Sequence, residues 1–195
     1  MTMHIDLKKK TANYTRISVA IILAGAVFLI LFGLPVGVPH RIVKALLLFL
    51  FGWLDFTLVE YMIHRFVFHR TPSTHEKKGI QYTMHGAHHE FPNDGGPVAI
   101  NPLIAVTVVG AFGFLGWILP FHGSSCWLSG FLLGYALYLF IHQYIHQHRP
   151  PRNLFRVLWR NHSVHHHRDD HVYFGVSSPL WDFIFQTLPR QGSKK

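Results

Sequence analysis

The chain has 195 residues, of which 49% are hydrophobic and only 14% charged, with a net charge of +9. That length suits one domain, but the composition is not that of a soluble one, because the apolar residues fall in long runs. A single cysteine, Cys126, excludes an intrachain disulfide and thiolate metal sites.

Residues 1–16 carry Lys8, Lys9, Lys10 and Arg16, and Ile17 to Leu34 follows as eighteen residues without a charge. The run is longer than the h-region of a signal peptide and lacks a small-x-small cleavage site, so it is expected to be an uncleaved first transmembrane span. A short turn over Pro35 to Pro39 leads to a second expected span, Ile42 to Tyr61, apolar except for Lys44, Asp55 and Glu60. A polar segment, 62–101, comes next and closes with Glu90-Phe-Pro-Asn-Asp-Gly-Gly-Pro97, whose residues favour turns. Leu103 to Phe121 is nineteen residues without a charge, and Cys126 to Ile141 is a further charge-free stretch that Gln143, Tyr144 and Ile145 extend. Between them lies a turn near Pro120 to Ser125. Arg149-Pro-Pro-Arg152 then opens a second polar segment, 146–195, beginning with a short basic helix.

The expected fold is all-α and integral to the membrane. Four transmembrane helices form two hairpins (17–61 and 102–145), and a helical cap is built from 62–101 and 146–195. Segments 1–16, 62–101 and 146–195 hold sixteen of the eighteen Lys and Arg residues. With an even number of spans between them, all three face one side, and the positive-inside rule makes it the cytoplasm. Topology thus accounts for the basic charge without a nucleic-acid partner.

Seventeen histidines are present, and ten fall into four spaced groups. These are His64-x4-His69, His85-x2-His88-His89, His142-x3-His146 and His162-x2-His165-His166. Residues three and four apart share a helix face, so HxxxH and HxxHH each offer two or three imidazoles from one stripe. His64 and His69, five apart, lie roughly 140° apart on an ideal α-helix. They should serve different metals, or the helix should end or distort between them. Neutral imidazole suits iron, zinc and copper, and ten rings exceed what one ion accepts. A dinuclear site with roughly five ligands per metal fits the count. His4, His40 and His122 read as ordinary packed or surface residues, and His75, His148, His167 and His171 are also assigned no metal role. Glu60, four residues before His64, is expected to accept the second ring N–H of a ligand histidine. Asp55 lies deeper in the same span, on the opposite face, with no assignable partner.

The histidine groups and their flanks resemble the fatty acid hydroxylase superfamily, which also contains the sterol desaturases, and within it the fatty acid 2-hydroxylases most closely. The matching pieces are Glu60-Tyr-Met-Ile-His-Arg-Phe-Val-Phe-His69, His85-Gly-Ala-His-His-Glu-Phe-Pro-Asn-Asp-Gly95, and His162-Ser-Val-His-His-His with Phe174-Gly-Val-Ser-Ser-Pro-Leu-Trp-Asp182. The resemblance covers about residues 42 to 188. It implies that His64, His69, His85, His88, His89, His142, His146, His162, His165 and His166 are the metal ligands. It also implies an O2-dependent monooxygenase that attacks the acyl carbon next to the carbonyl of a lipid drawn from the bilayer. Zinc has no redox chemistry, so two iron ions are the expected working metals, with zinc only as a substitute. Many eukaryotic 2-hydroxylases carry a fused haem domain to which nothing here corresponds. Electrons are therefore expected from a separate donor, cytochrome b5-like or ferredoxin-like with its reductase. The alternatives within the superfamily are carotenoid ring hydroxylation and sterol or acyl desaturation. A metal transporter should place ionisable ligands near the bilayer midplane, where only Asp55 comes close.

Overall fold

A computed structural model of the chain describes residues 2–34, 37, 39–69, 82–92, 101–119 and 123–189. Among them every regular element is helical. The helices are α1 (Thr2–Phe32), α2 (Arg41–Ile63), α3 (Ala87–Glu90), α4 (Pro102–Ile118), α5 (Ser124–Gln147), α6 (Arg156–His167) and α7 (Leu180–Ile184). Two π-helical turns, π1 (His64–Phe68) and π2 (Tyr82–Gly86), lead out of α2 and into α3. Most of the turn-rich loop ending at Pro97 lies outside the described residues, as do His75, His122 and the side chain of His4.

The chain divides into two compact units, Met1–Thr57 with Val98–Phe140, and Leu58–Pro97 with Ile141–Lys195. In the first, Ile22, Ala26 and Leu29 of α1, Ala105 of α4, and Leu128, Leu132, Ala136 and Leu139 of α5 form the buried core. Helices α2 and α5 approach backbone to backbone through reciprocal glycines. A Cβ on Gly52 would stand 1.9 Å from the Trp127 carbonyl oxygen, and one on Gly130 would stand 1.9 Å from that of Phe49. Small residues at such crossings are how helices associate where lipid removes the hydrophobic drive to pack. Ser129 adds a bond across helices, donating its hydroxyl to the Ala26 carbonyl at 2.7 Å. Large apolar side chains point outward instead, Phe32 at 77% exposure and Trp117 at 81%.

Among the described residues, three helical stretches are long and apolar enough to cross a membrane: Ala12–Phe32, Arg41–Phe68 and Ser124–Gln147. Helix α4 was expected as a nineteen-residue span but has 17 residues. Asn101 caps its start, accepting the Leu103 amide at 2.9 Å, and Pro102 occupies the first turn. Its end is set by Pro120, which disfavours helical backbone in the residue before it. Leu119 accordingly turns extended, at ψ 128.

Candidate metal centre

All ten spaced histidines belong to the second unit, where they form two groups of five. Group A comprises His64, His69, His85, His89 and His165, and group B comprises His88, His142, His146, His162 and His166. Within each, the candidate donor atoms lie within 4.8 Å of one another. No other His, Cys, Asp or Glu group with this property occurs among the described residues.

Local helix geometry explains the sorting. His64 and His69 reach one group because π1 lies between them: the His69 amide donates to the His64 carbonyl at 3.2 Å, an i→i+5 bond. A π-turn brings residues five apart onto one face, so the helix distorts and the two rings do not serve different metals. Of the two or three imidazoles that each HxxHH motif could offer from one stripe, two share a group and the third divides from them. His85 and His89, four apart, enter group A, whereas His88 enters group B. Likewise His162 and His166 enter group B, whereas His165 crosses to group A. Adjacent positions on an α-helix diverge by about 100°, so His88 and His89 cannot aim at one point. Each group is thus two pairs from two consecutive motifs plus one ring from the opposite half of the chain.

The donor atoms fit a shared ion better than a hydrogen-bond network. His85 Nε2 lies 3.0 Å from His64 Nε2, 3.1 Å from His69 Nε2 and 2.9 Å from His89 Nε2. One ring nitrogen has a single site for a proton or a lone pair and cannot satisfy three such neighbours. Two nitrogens each ~2.1 Å from one ion, at right angles, would stand about 3.0 Å apart. The remaining contacts have the same length: His165 Nε2 to His69 Nε2 at 3.1 Å, His142 Nε2 to His88 Nε2 at 2.8 Å, and His162 Nε2 to His146 Nε2 at 2.8 Å.

Burial keeps these rings neutral and so available as donors. It holds His69 and His88 down to about 3, His89 to about 2 and His165 to about 4, with neighbouring imidazoles reinforcing the shift in the first three. His85, His162 and His166 are lowered for the same reason.

Group A is braced from behind by one loop. The His64 Nδ1–H donates to the Phe174 carbonyl at 2.5 Å, and the His165 Nδ1–H to the Val172 carbonyl at 2.8 Å. These bonds fix the tautomers, leaving each Nε2 lone pair to face the group. Between the two carbonyls Tyr173 adopts φ 57, and its amide donates to the Thr187 carbonyl at 3.0 Å. Asp182, fully buried, accepts from the Phe174 amide at 2.8 Å, the Gly175 amide at 2.9 Å and the Thr187 hydroxyl at 2.7 Å. Gly175 is required: a Cβ there would sit 2.1 Å from the Ser178 carbonyl oxygen.

Glu60 also serves this loop, which corrects the expectation that it accepts a ligand ring N–H. Its carboxylate takes the Val176 amide at 2.7 Å, the Ser177 amide at 3.0 Å and the Ser177 hydroxyl. Backbone amides two and three residues beyond Phe174 occupy the acceptor instead, so Glu60 acts on His64 only through the loop. Asp182 had no role in the motif reading. A buried acid eight residues after a hydrogen-bonding backbone turn leaves no periodic trace, and its only sequence signal is its place at the end of the Phe174–Asp182 piece that carries the family resemblance.

The other histidines whose side chains are described stay outside both groups. His148 donates to the Tyr144 carbonyl at 3.3 Å, and His167 and His40 are exposed. His171, with 66% of its side chain exposed, lies 3.7 Å from Asp170. Asp55 is half-buried on α2, in the first unit.

A fatty acid hydroxylase family model matches residues 49–187. The fatty acid 2-hydroxylase of Rattus norvegicus is 40% identical over 153 residues, covering 76% of this chain and 41% of the relative. A dihydroceramide fatty acyl 2-hydroxylase of Arabidopsis thaliana is 35% identical over 140 residues, covering 71% of this chain and 59% of the relative. The chain therefore spans between two fifths and three fifths of the length of these two relatives. Among solved structures, full-length Scs7p, with only its hydroxylase domain visible, superposes with a TM-score of 0.73 at 26% identity. That match covers 92% of this chain and 68% of the other.

Proposed function

The chain belongs to the fatty acid hydroxylase family, and on that premise we propose that it is a membrane di-iron oxygenase that 2-hydroxylates a fatty acyl chain. The observation that carries this reading is the pair of five-imidazole groups in a chain whose relatives are named as fatty acid and fatty acyl 2-hydroxylases. Iron held in both groups would supply the redox capacity, with O2 and two external electrons, to oxidise an unactivated C–H bond. The residues of the chain hold and orient that centre. The loop around Phe174 and Val172 sets two tautomers in group A, and burial keeps protons off the donors.

We also propose four spans, with α4 as the fourth. Its 17 residues reach about 25 Å at 1.5 Å per residue, near the lower limit for a crossing. The distribution of basic residues supports a cytoplasmic histidine site, and reporter fusions after Arg70 and Arg168 should both report the inside. The acyl substrate would enter from the bilayer. Electrons would come from a separate donor protein of the cytochrome b5 or ferredoxin type, with its reductase.

The test is mass spectrometry of total acyl groups from cells expressing the chain with a compatible electron donor. A 2-hydroxy acid absent from control cells supports the reading. An oxygenated carotenoid or a new double bond in its place would overturn the substrate assignment.

A further inference from the structure

Beside group B, the end of α5 and one face of α6 border an open cavity of about 690 Å³. Three of the five group B rings, His146, His162 and His166, form part of its wall. Ile145, Val157 and Trp159 supply apolar surface. Among the described residues the lining includes two arginines, Arg156 and Arg160, and no acidic residue. A second cavity reaches His166 from the group A side, and there the lining carries Glu90, Asp169 and Asp170 against a single Arg168. These two cavities thus differ in charge, and the arginine-lined one is suited to an anion.

Arg160 is held in place before any ligand arrives. Its Nε and Nη2 donate to Asn161 Oδ1 at 3.2 and 3.1 Å, and Asn161 is itself only 2% exposed. Two of the five guanidinium N–H groups are used this way and three remain. Asn161 immediately precedes His162, so the side chain that orients the guanidinium comes from the chain neighbour of a group B residue. Arg156 lies one helical turn before Arg160, four residues away, and so shares its face.

We propose that Arg156 and Arg160 form a head-group subsite for the acyl substrate, and that the head group is an anionic oxygen group, a carboxylate or a phosphate. The inference rests on the reading of the chain as an acyl hydroxylase and adds the substrate's charge. Two guanidiniums match the planar geometry of such an anion and bind it with charge-assisted bonds. A neutral amide head would give them no counter-charge. For a carboxylate the arrangement also selects position, because C2 is bonded directly to the anchored carbon. Holding the head between the arginines therefore keeps C2 beside the histidine wall, while Ile145, Val157 and Trp159 receive the first methylenes.

The test is equilibrium binding of dodecanoate, dodecyl phosphate and neutral dodecanamide to the metal-loaded protein in nanodiscs. Wild type and the Arg156→Gln/Arg160→Gln double variant are compared, both checked for metal content. Wild type is expected to bind one or both anions roughly 10-fold or more tighter than the amide. In the double variant that preference should fall below about 3-fold, with amide binding unchanged. Tighter dodecanoate identifies an acyl carboxylate, and tighter dodecyl phosphate a phosphate-bearing lipid. Equal binding of amide and anions by wild type, which needs no variant to fold, overturns the proposal. So does a preference that survives loss of both arginines. Product analysis on the same preparations is a separate readout: no 2-hydroxy product would sink the hydroxylase reading while the binding result still judges the subsite.

Discussion

The amide of His69 closes onto the carbonyl of His64 at 3.2 Å, and that i→i+5 bond is what puts both rings in group A. One alanine inserted between Phe66 and Val67 would turn His69 about 100° further around the helix axis. Group A should then lose His69 while group B keeps all five donors. Elemental analysis of the purified variant is expected to fall from two metals per chain toward one. Two tightly held metals would mean that the π-turn is not what aligns these residues.

His88 and His89 are neighbours assigned to different groups, and this division is directly measurable. His88→Ala should deplete group B and His89→Ala group A, so the two variants should differ in the spectrum of the metal each retains. Both should insert normally, as should His166→Ala, and none should yield 2-hydroxy acyl lipid. His171→Ala should retain most activity, because its ring is exposed and outside both groups. Identical spectra from the two neighbouring variants would refute the crossover.

Asp182→Asn and Glu60→Gln each weaken an acceptor for the loop that orients His64 and His165. Partners behind a metal ligand are worth roughly 10- to 100-fold in metal affinity or activity. Competition with a chelator should show the loss in one of the two metals only, that of group A. Leu154, exposed and outside the loop, is the control and should show no such effect; equal weakening of both metals would remove the loop from this role.

The metal-free protein should lose stability in acid. Burial holds His69 and His88 down to about 3 and His89 to about 2, below the ordinary value of 6.5. Below about pH 6.5 the unfolded chain therefore binds protons that the folded chain does not. The stabilisation is complete above that pH and declines as pH falls toward 3, by up to about 1.4 kcal/mol per pH unit for each such ring. Thermal unfolding of the chelator-treated protein between pH 7.5 and 5 should report it, and a flat melting temperature would contradict it.

Chelation should abolish turnover, and reloading with iron but not zinc should restore it, because zinc cannot change its oxidation state. Full activity of the zinc-loaded protein would exclude redox chemistry at these groups.

The ten histidines were legible in the sequence because helical spacing is a local property. A ring three, four or five positions from another announces itself in the motif, and so did the long charge-free runs. Which ring joins which group was not legible. His88 and His165 leave their own motifs for distant partners, His142 lying 54 residues from His88 and His69 lying 96 from His165. Glu60 illustrates the same limit: its helical register pointed to His64, yet amides 116 and 117 residues distant claimed its oxygens. Periodicity records the direction in which a side chain leaves its own helix. What it meets there depends on backbone donors and acceptors brought in by the rest of the chain, and only the tertiary structure determines those.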